Sequence, residues 1–394
     1  MSRSPIVPTL GVEEEYQLCD PATGDLVPAV DTLLAAAPEE LRRQLGYELL
    51  HTVLEADTPV AADVDEAAAQ VRRLRCAIMD LAERHGVAIG VGGVHPFADW
   101  RVQGFVDTPG YQWVGHQLKY VAQRNLSFGL HVHVGVEDED ARIYVANQLR
   151  RWCAPLLALS ANSPFFEGAD TGFQTIRMHV FGSFPRTGFA PRFRDWNHYL
   201  RVVDGLTRSG AITAPRQVWW NVRAHMTYPT VELRMLDMQI GLDRTRTFVA
   251  LSQALVAGLV AEWEAGEPEW ELEPAFLADG WFKAQRFDWE ATVAHPLTGE
   301  TVTMLDEIHS LREVVRPWTV LLGTEEAAIG GLERILVDGP ECDWQRAELA
   351  RAGDLAELQR RIVARVRREA RCQDLTARER RVERDAVSAS RGRG

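Results

Sequence analysis

Polar side chains at i and i+2 interrupt three apolar runs of this chain in the same way. Glu13 and Glu15 sit in TLGVEEEYQLC, His131 and His133 in GLHVHVGV, and Glu232 and Arg234 in TVELRML. A period of two is the period of a strand, so each pair projects from one face. Three separate strands can then line a single pocket with carboxylates, imidazoles and a guanidinium.

The remaining pattern predicts a mixture of helices and strands. The first strand covers residues 9–19 and ends in the turn-rich DPATGD. A helix over 31–45 and a strand over 49–55 follow. From 64 to 85, Val64, Val71, Leu74, Ile78 and Leu81 recur at helical spacing, with Asp63 as N-cap, Glu66 three residues on and Gly86 past the end. Residues 87–93 read as a buried strand leading into HPFADW, 112–125 and 141–160 as helices, and the Gly-, Pro- and aromatic-rich 165–194 as an ordered loop. Strands over 218–225 and 231–238 flank the turn TYPT, a helix covers 244–264, HPLTGETV reads as a hairpin, and the rest to about Arg371 reads as helical. This assigns 1–375 to one domain and leaves 376–394 as an Arg-rich tail, expected to be disordered.

Composition narrows the class. With 394 residues, 46% hydrophobic and 25% charged, the chain suits a soluble globular protein. A net charge of -13 with interspersed basic residues excludes a nucleic-acid footprint and favours cation-dependent handling of anions. Lys119 and Lys283 are the only lysines and no Gly-Lys pair exists, so a P-loop is excluded. The cysteines, Cys19, Cys76, Cys153, Cys342 and Cys372, form no CxxC, which fits free thiols in a reducing compartment. The N-terminus lacks the apolar core of a signal peptide, and no uninterrupted apolar stretch approaches about 18 residues, so the expectation is a cytoplasmic protein without a membrane partner.

Each polar pair has an ordinary explanation when taken alone. Glu13 and Glu15 fit a solvated edge strand, His131 and His133 a pair of satisfied core histidines, and Glu232 with Arg234 a salt bridge. Together, with Glu55 of TVLEADTP as a further carboxylate, they supply several oxygen ligands, one or two nitrogens and no sulfur. That set suits Mg²⁺ or Mn²⁺ more than structural Zn²⁺, and the absence of HExxH weakens a zinc-hydrolase reading. Arg234 beside such cations would stabilise a phosphoryl group in transfer.

Beyond this chemistry, GVEEEY, LEADTP, GGVHPF, GLHVHVGV, ALSANSPFFEGADTGF, YPTVELRMLD and KAQR occur in the order seen in the YbdK-type carboxylate-amine ligases, also called glutamate-cysteine ligase type 2. The chain resembles that family from about Gly11 to Thr301. The resemblance implies an α+β fold like the glutamine synthetase catalytic domain, a curved, mainly antiparallel sheet with helices on its outer face. It implies ATP and Mg²⁺ (or Mn²⁺) as cofactors, small-molecule substrates and a homodimer. The implied reaction activates a carboxylate, with glutamate expected, as an acyl phosphate that an amine, usually cysteine, converts to an amide.

By motif, the resemblance assigns Glu13, Glu15, Glu55, His131 and Glu232 to metal, and Arg234 and His133 to catalysis. It places Arg177, Lys283 and Arg286 on the cofactor side and Arg223 with His95 on the substrate side. WNVRAH departs from the more usual WDVRPS at Asn221, Ala224 and His225, and KAQRFD lacks the usual glycine after its Arg; both lie on the substrate side. A guanidino or amino kinase and a non-catalytic binder are the other readings of the same framework.

Overall fold

The structure, a computed structural model, describes residues 7–371, so the tail expected over 376–394 and Cys372 lie outside the described residues. Strand β1, Leu10–Cys19, buries Leu10, Val12, Tyr16 and Leu18 on one face and presents Glu13 and Glu15 on the other. Glu14 falls on the apolar face by the same alternation. It is 2% exposed, and its carboxylate is held by Arg75. Burial of that charge is offset by the guanidinium, which also donates to the carbonyls of Gln239 and Ile240.

Six more strands complete the sheet: β2 (Leu45–Tyr47), β3 (Val53–Asp57), β4 (Ala88–Gly90), β5 (Gly129–Gly135), β6 (Val222–Ala224) and β7 (Thr230–Asp237). Their order is β6-β7-β5-β1-β3-β2, with β4 also on β1, and every pairing is antiparallel. The register of β7 on β5 shifts between Leu233 and Leu236, a bulge at Arg234 and Met235. An extra residue on one strand bends it and turns a side chain.

Helices α1 (Val64–Arg84), α2 (Glu139–Leu149), α3 (Cys153–Ser160) and α4 (Leu242–Ala265) pack against the sheet. The cap of α1 forms as its sequence predicts: the Asp63 side chain accepts from the Glu66 amide at 2.8 Å, and the Glu66 carboxylate accepts from the Ala62 amide at 2.8 Å. Helix α4 is long and apolar enough by composition to cross a membrane, yet most of that apolar window is buried inside the fold. One hydrophobic core runs from Leu10 to Ala370. An α+β fold with a mainly antiparallel sheet and packed helices is what the sequence leads one to expect.

Three predicted helices are interrupted. The helix expected over 31–45 becomes Val30–Ala36 and Glu39–Arg42, because Pro38, at φ -53 and ψ 146, leaves helical geometry, and Leu45 joins the sheet instead. The one expected over 112–125 becomes Pro109–Leu118 and Tyr120–Gln123, parted by Lys119 at φ 50. The 141–160 helix divides at a 3₁₀ turn, Arg150–Trp152, which leaves Pro155 in the first turn of α3, where its missing N–H costs least. The loop at 165–194 carries a two-stranded ribbon at Phe165–Phe166 and Ala169–Asp170 and a short helix, Arg177–Phe181.

Candidate active site

Register alone brings the polar pairs together. Glu13 lies opposite His131 across β1 and β5 and opposite Asp57 across β1 and β3. Glu15 lies opposite Glu55, His133 opposite Glu232, and Glu232 opposite Arg223. Directly opposed residues of an antiparallel pair share a face, so all of these occupy the side of the sheet that β1 does not give to its apolar residues.

Glu13 is the hinge of the arrangement. Its two oxygens meet His131 Nδ1 at 2.9 Å and His133 Nε2 at 2.8 Å. Burial opposes its charge, but those two hydrogen bonds hold its pKa well below the usual carboxylate value. His133 is oriented from behind by the Thr230 hydroxyl, 3.0 Å from Nδ1. Burial disfavours its imidazolium, yet Glu232 and Glu13 raise its pKa overall; His131, buried beside Arg234, falls to about 4.

Glu232 is fully buried between two arginines. Arg223 Nε donates to it at 2.7 Å, and Arg234 donates to its other oxygen. Burial alone would neutralise this carboxylate; Arg223 and then Arg234 reverse the effect and keep it ionised far below the ordinary carboxylate range. Arg223 also donates to the carbonyls of Arg216 and Val218 at 3.0 and 3.2 Å, so its guanidinium is committed to protein partners.

Two groups of three side chains have ligand atoms within 4.8 Å of one another: Glu13, His133 and Glu232, and Glu13, Glu55 and Asp57. The donors are carboxylates with one imidazole, the preference of a hard divalent cation. Beside them Glu15 is raised to about 8 by burial and by Glu48, and Glu55 is raised well above its ordinary value by burial, Glu13 and Glu48. Carboxylates that disfavour one another's charge are relieved by a cation, and on this ground the residues fit Mg²⁺.

A small cleft of about 60 Å³ adjoins this face, with Glu15, Glu48, Tyr111, Arg177 and Arg234 among its polar lining and Phe181, Phe184 and Trp219 as its aromatic wall. Arg177 reaches it from the short helix after the NSP loop. The loop is pinned because Asp237 accepts from the Asn162 amide at 2.8 Å and the Ser163 hydroxyl at 2.7 Å. The Arg177 guanidinium donates to the carbonyls of Leu236 and Arg234 at 3.0 and 3.2 Å. Glycine at 129 leaves room for the Arg177 guanidinium, since an added Cβ would lie 2.2 Å from Arg177 Nη2 and 2.8 Å from His131 Nε2. That glycine's amide donates to Glu15.

The family model of glutamate-cysteine ligase family 2 matches residues 9–361. The chain belongs to that family.

Relatives named for family 2 include one from Rubrobacter xylanophilus, 35% identical over 89% of this chain and 92% of its own length, and one from Paracoccus denitrificans, 37% identical over 87% and 91%. A glutamate-cysteine ligase from Haloferax volcanii is 38% identical over 77% of this chain and 85% of its own. Among solved structures, a glutamate-cysteine ligase from Francisella tularensis in complex with AMP superposes with a TM-score of 0.71, covering 93% of this chain and 89% of that one at 11% identity. A bifunctional glutathione synthetase from Pasteurella multocida gives 0.68 over 92% of this chain and 52% of that one at 13% identity. These two show a shared fold. Family 2 is a family of ATP-dependent ligases, and this chain is one of them.

For this member of family 2, the structure redistributes several site expectations. His133, rather than His131, falls in a three-ligand group, because it lies opposite Glu232 while also reaching Glu13. Asp57 joins from the end of β3 through its register with Glu13, and Glu48 faces the cleft from the segment before β3. Sequence reading missed both. Asp57 stands at i+2 from Glu55 in LEADTP, the same spacing as the three pairs, so its signal was present. Glu48 has no such periodic signal.

Four expected ligand residues are elsewhere or otherwise engaged. His95 is 0% exposed, with Nε2 2.9 Å from the Gly24 carbonyl and Nδ1 accepting from the Ala98 amide at 3.0 Å, so both ring nitrogens serve the fold and not a substrate. Lys283 pairs with Asp279 at 2.6 Å on its own helix, and Arg286 donates to the Gly172 carbonyl; neither lines the cleft. Arg223 faces the site and spends its guanidinium on Glu232 and two main-chain carbonyls.

Proposed function

We propose that this family 2 member joins a carboxylate, glutamate through its γ-carboxyl, to the amine of cysteine or another small amine, with ATP as the phosphoryl donor. The observation that carries the reading is Glu13, which belongs to two candidate cation groups on one face with Arg234 beside them. Glu13, His133 and Glu232 would hold one Mg²⁺, and Glu13, Glu55 and Asp57, with Glu15 and Glu48 adjoining, a second. When bound, such ions screen the phosphate charges from the acid's carboxylate.

A carboxylate oxygen of the acid attacks the γ-phosphorus, and the bond to ADP breaks. The amine nitrogen then attacks the acyl carbon, phosphate leaves with the bonding pair, and the nitrogen loses a proton. The chain's part in the first step is to bring two anions together and share the charge that develops. Arg234, braced by Glu232 and lining the cleft, faces that charge. Arg177, which lines the same cleft, supplies a second guanidinium fixed by main-chain carbonyls.

An ADP-release assay with glutamate, Mg²⁺ and a panel of amines tests the reading. Amine-dependent ADP release with formation of the amide supports it. A stable phosphorylated product without amide would favour the kinase alternative instead.

A further inference from the structure

The turn between β6 and β7 carries an aromatic pair that the reaction scheme leaves unused. Tyr228 stacks on His225 with ring centroids 4.8 Å apart and planes at 17°, and His133 of the cation group meets both rings edge-on, at 6.5 Å from Tyr228 and 5.6 Å from His225. Tyr228 is 58% exposed, while His133 beneath it is buried. One face of the phenol ring is backed by an imidazole and more than half of the residue stands open at the rim of the site.

The turn is built to hold that ring still. His225 Nδ1 accepts from the amides of Thr227 and Tyr228 at 3.1 and 2.9 Å, and the Tyr228 carbonyl accepts from the Thr230 amide at 2.8 Å. The Pro229 carbonyl accepts from the Val136 amide at 2.8 Å, which ties the turn to the end of β5. Thr230, the next residue, is the one that orients His133. An exposed ring usually pays an ordering cost on binding; here it is fixed in advance, four residues along the chain from Glu232, which is what a preorganised contact requires.

From this placement we infer that Tyr228, backed by His225, is the stacking platform for the base of the nucleoside triphosphate whose phosphates lie at Glu13, His133 and Glu232. The inference rests on the ATP-dependent reading of the face. A flat, uncharged, open ring beside a phosphate site matches the flat face of a nucleobase, and it offers no charge for a carboxylate or an ammonium. Stacking of this kind is tolerant of base identity, so the platform serves any purine triphosphate.

Calorimetric titration of the full chain with Mg·ATP and with Mg·tripolyphosphate, which lacks base and ribose, tests the platform. Tyr228→Ala is expected to weaken Mg·ATP by about tenfold and to leave Mg·tripolyphosphate unchanged, while Tyr228→Phe restores the affinity for Mg·ATP. Unchanged ATP affinity in Tyr228→Ala, or equal weakening of both ligands, would overturn the platform and leave the ligase reading standing. If the wild-type chain bound neither ligand, the ATP reading itself would fall, and the platform with it.

Discussion

Glu13 Oε1 lies 2.8 Å from His133 Nε2, and this contact joins two potential cation sites, because Glu13 contributes a ligand atom to both. No other side chain of the face is shared in this way among the described residues.

Glu13→Gln should therefore damage more than any other single change among the cation ligands. The expected result is loss of nearly all turnover and of Mg²⁺-dependent stabilisation, whereas Asp57→Asn, at the exposed end of β3, loses only part of each. Thermal melting with and without Mg²⁺, together with ADP release, measures both; equal behaviour of the two variants would rule out the shared role.

Arg223→Ala leaves Glu232 buried with one of its two guanidinium partners removed. Removing one partner from a buried pair costs about 3–5 kcal/mol, read as a shifted urea midpoint. Arg223→Lys keeps the charge but not the paired geometry and should recover part of the stability and little of the turnover. Full activity in Arg223→Lys would argue that Glu232 needs charge alone.

Arg75→Ala tests the opposite face of β1. Glu14 would lose its buried guanidinium partner, again at about 3–5 kcal/mol, but the cation ligands would be untouched. The expected variant is destabilised in urea with Mg²⁺ affinity unchanged in the folded protein at low temperature. A loss of affinity would show that the two faces of β1 are coupled.

Gly129→Ala puts a methyl group where Arg177 Nη2 and the His131 ring lie within 2.2 and 2.8 Å of it. Arg177 must move and leave its carbonyl partners. Turnover should fall by more than tenfold, and Arg177→Ala combined with Gly129→Ala should cost little beyond Arg177→Ala alone. A double mutant cycle measures that coupling.

The buried His95 makes stability depend on pH. Burial lowers its pKa from 6.5 to about 4, so the folded protein holds the ring neutral where the unfolded chain takes up a proton. Stability from this group is complete above pH 6.5 and is lost as the pH falls towards about 4, a total of about 3 kcal/mol. Urea unfolding of the wild type and of His95→Gln across that range should show a shallower decline in the variant.

Much of the fold was legible because long periodic segments report their own structure. Residues 64–84 carry an apolar stripe, a cap and a terminal glycine, and they form one helix from Val64 to Arg84. Breaks were harder to see: Lys119 takes φ 50 in the middle of a helical pattern, and nothing local in YVAQ or GHQL demands it. Glu14 was hidden for a different reason. A charged residue on the apolar parity of β1 makes sense only beside Arg75, 61 residues away.

By itself the sequence determined that Glu13 with Glu15, His131 with His133, and Glu232 with Arg234 each share a face, since side-chain alternation is a local property of an extended backbone. It also carried the family pattern. Only the tertiary structure decided which residues stand opposite one another, because strand register is set by packing between distant segments. Register placed His133 against Glu232, drew in Asp57 through Glu13, turned Arg223 onto Glu232, and left His95, Lys283 and Arg286 outside the cleft. The same long-range placement set Tyr228 over His133, a relation that no spacing in TYPT could express.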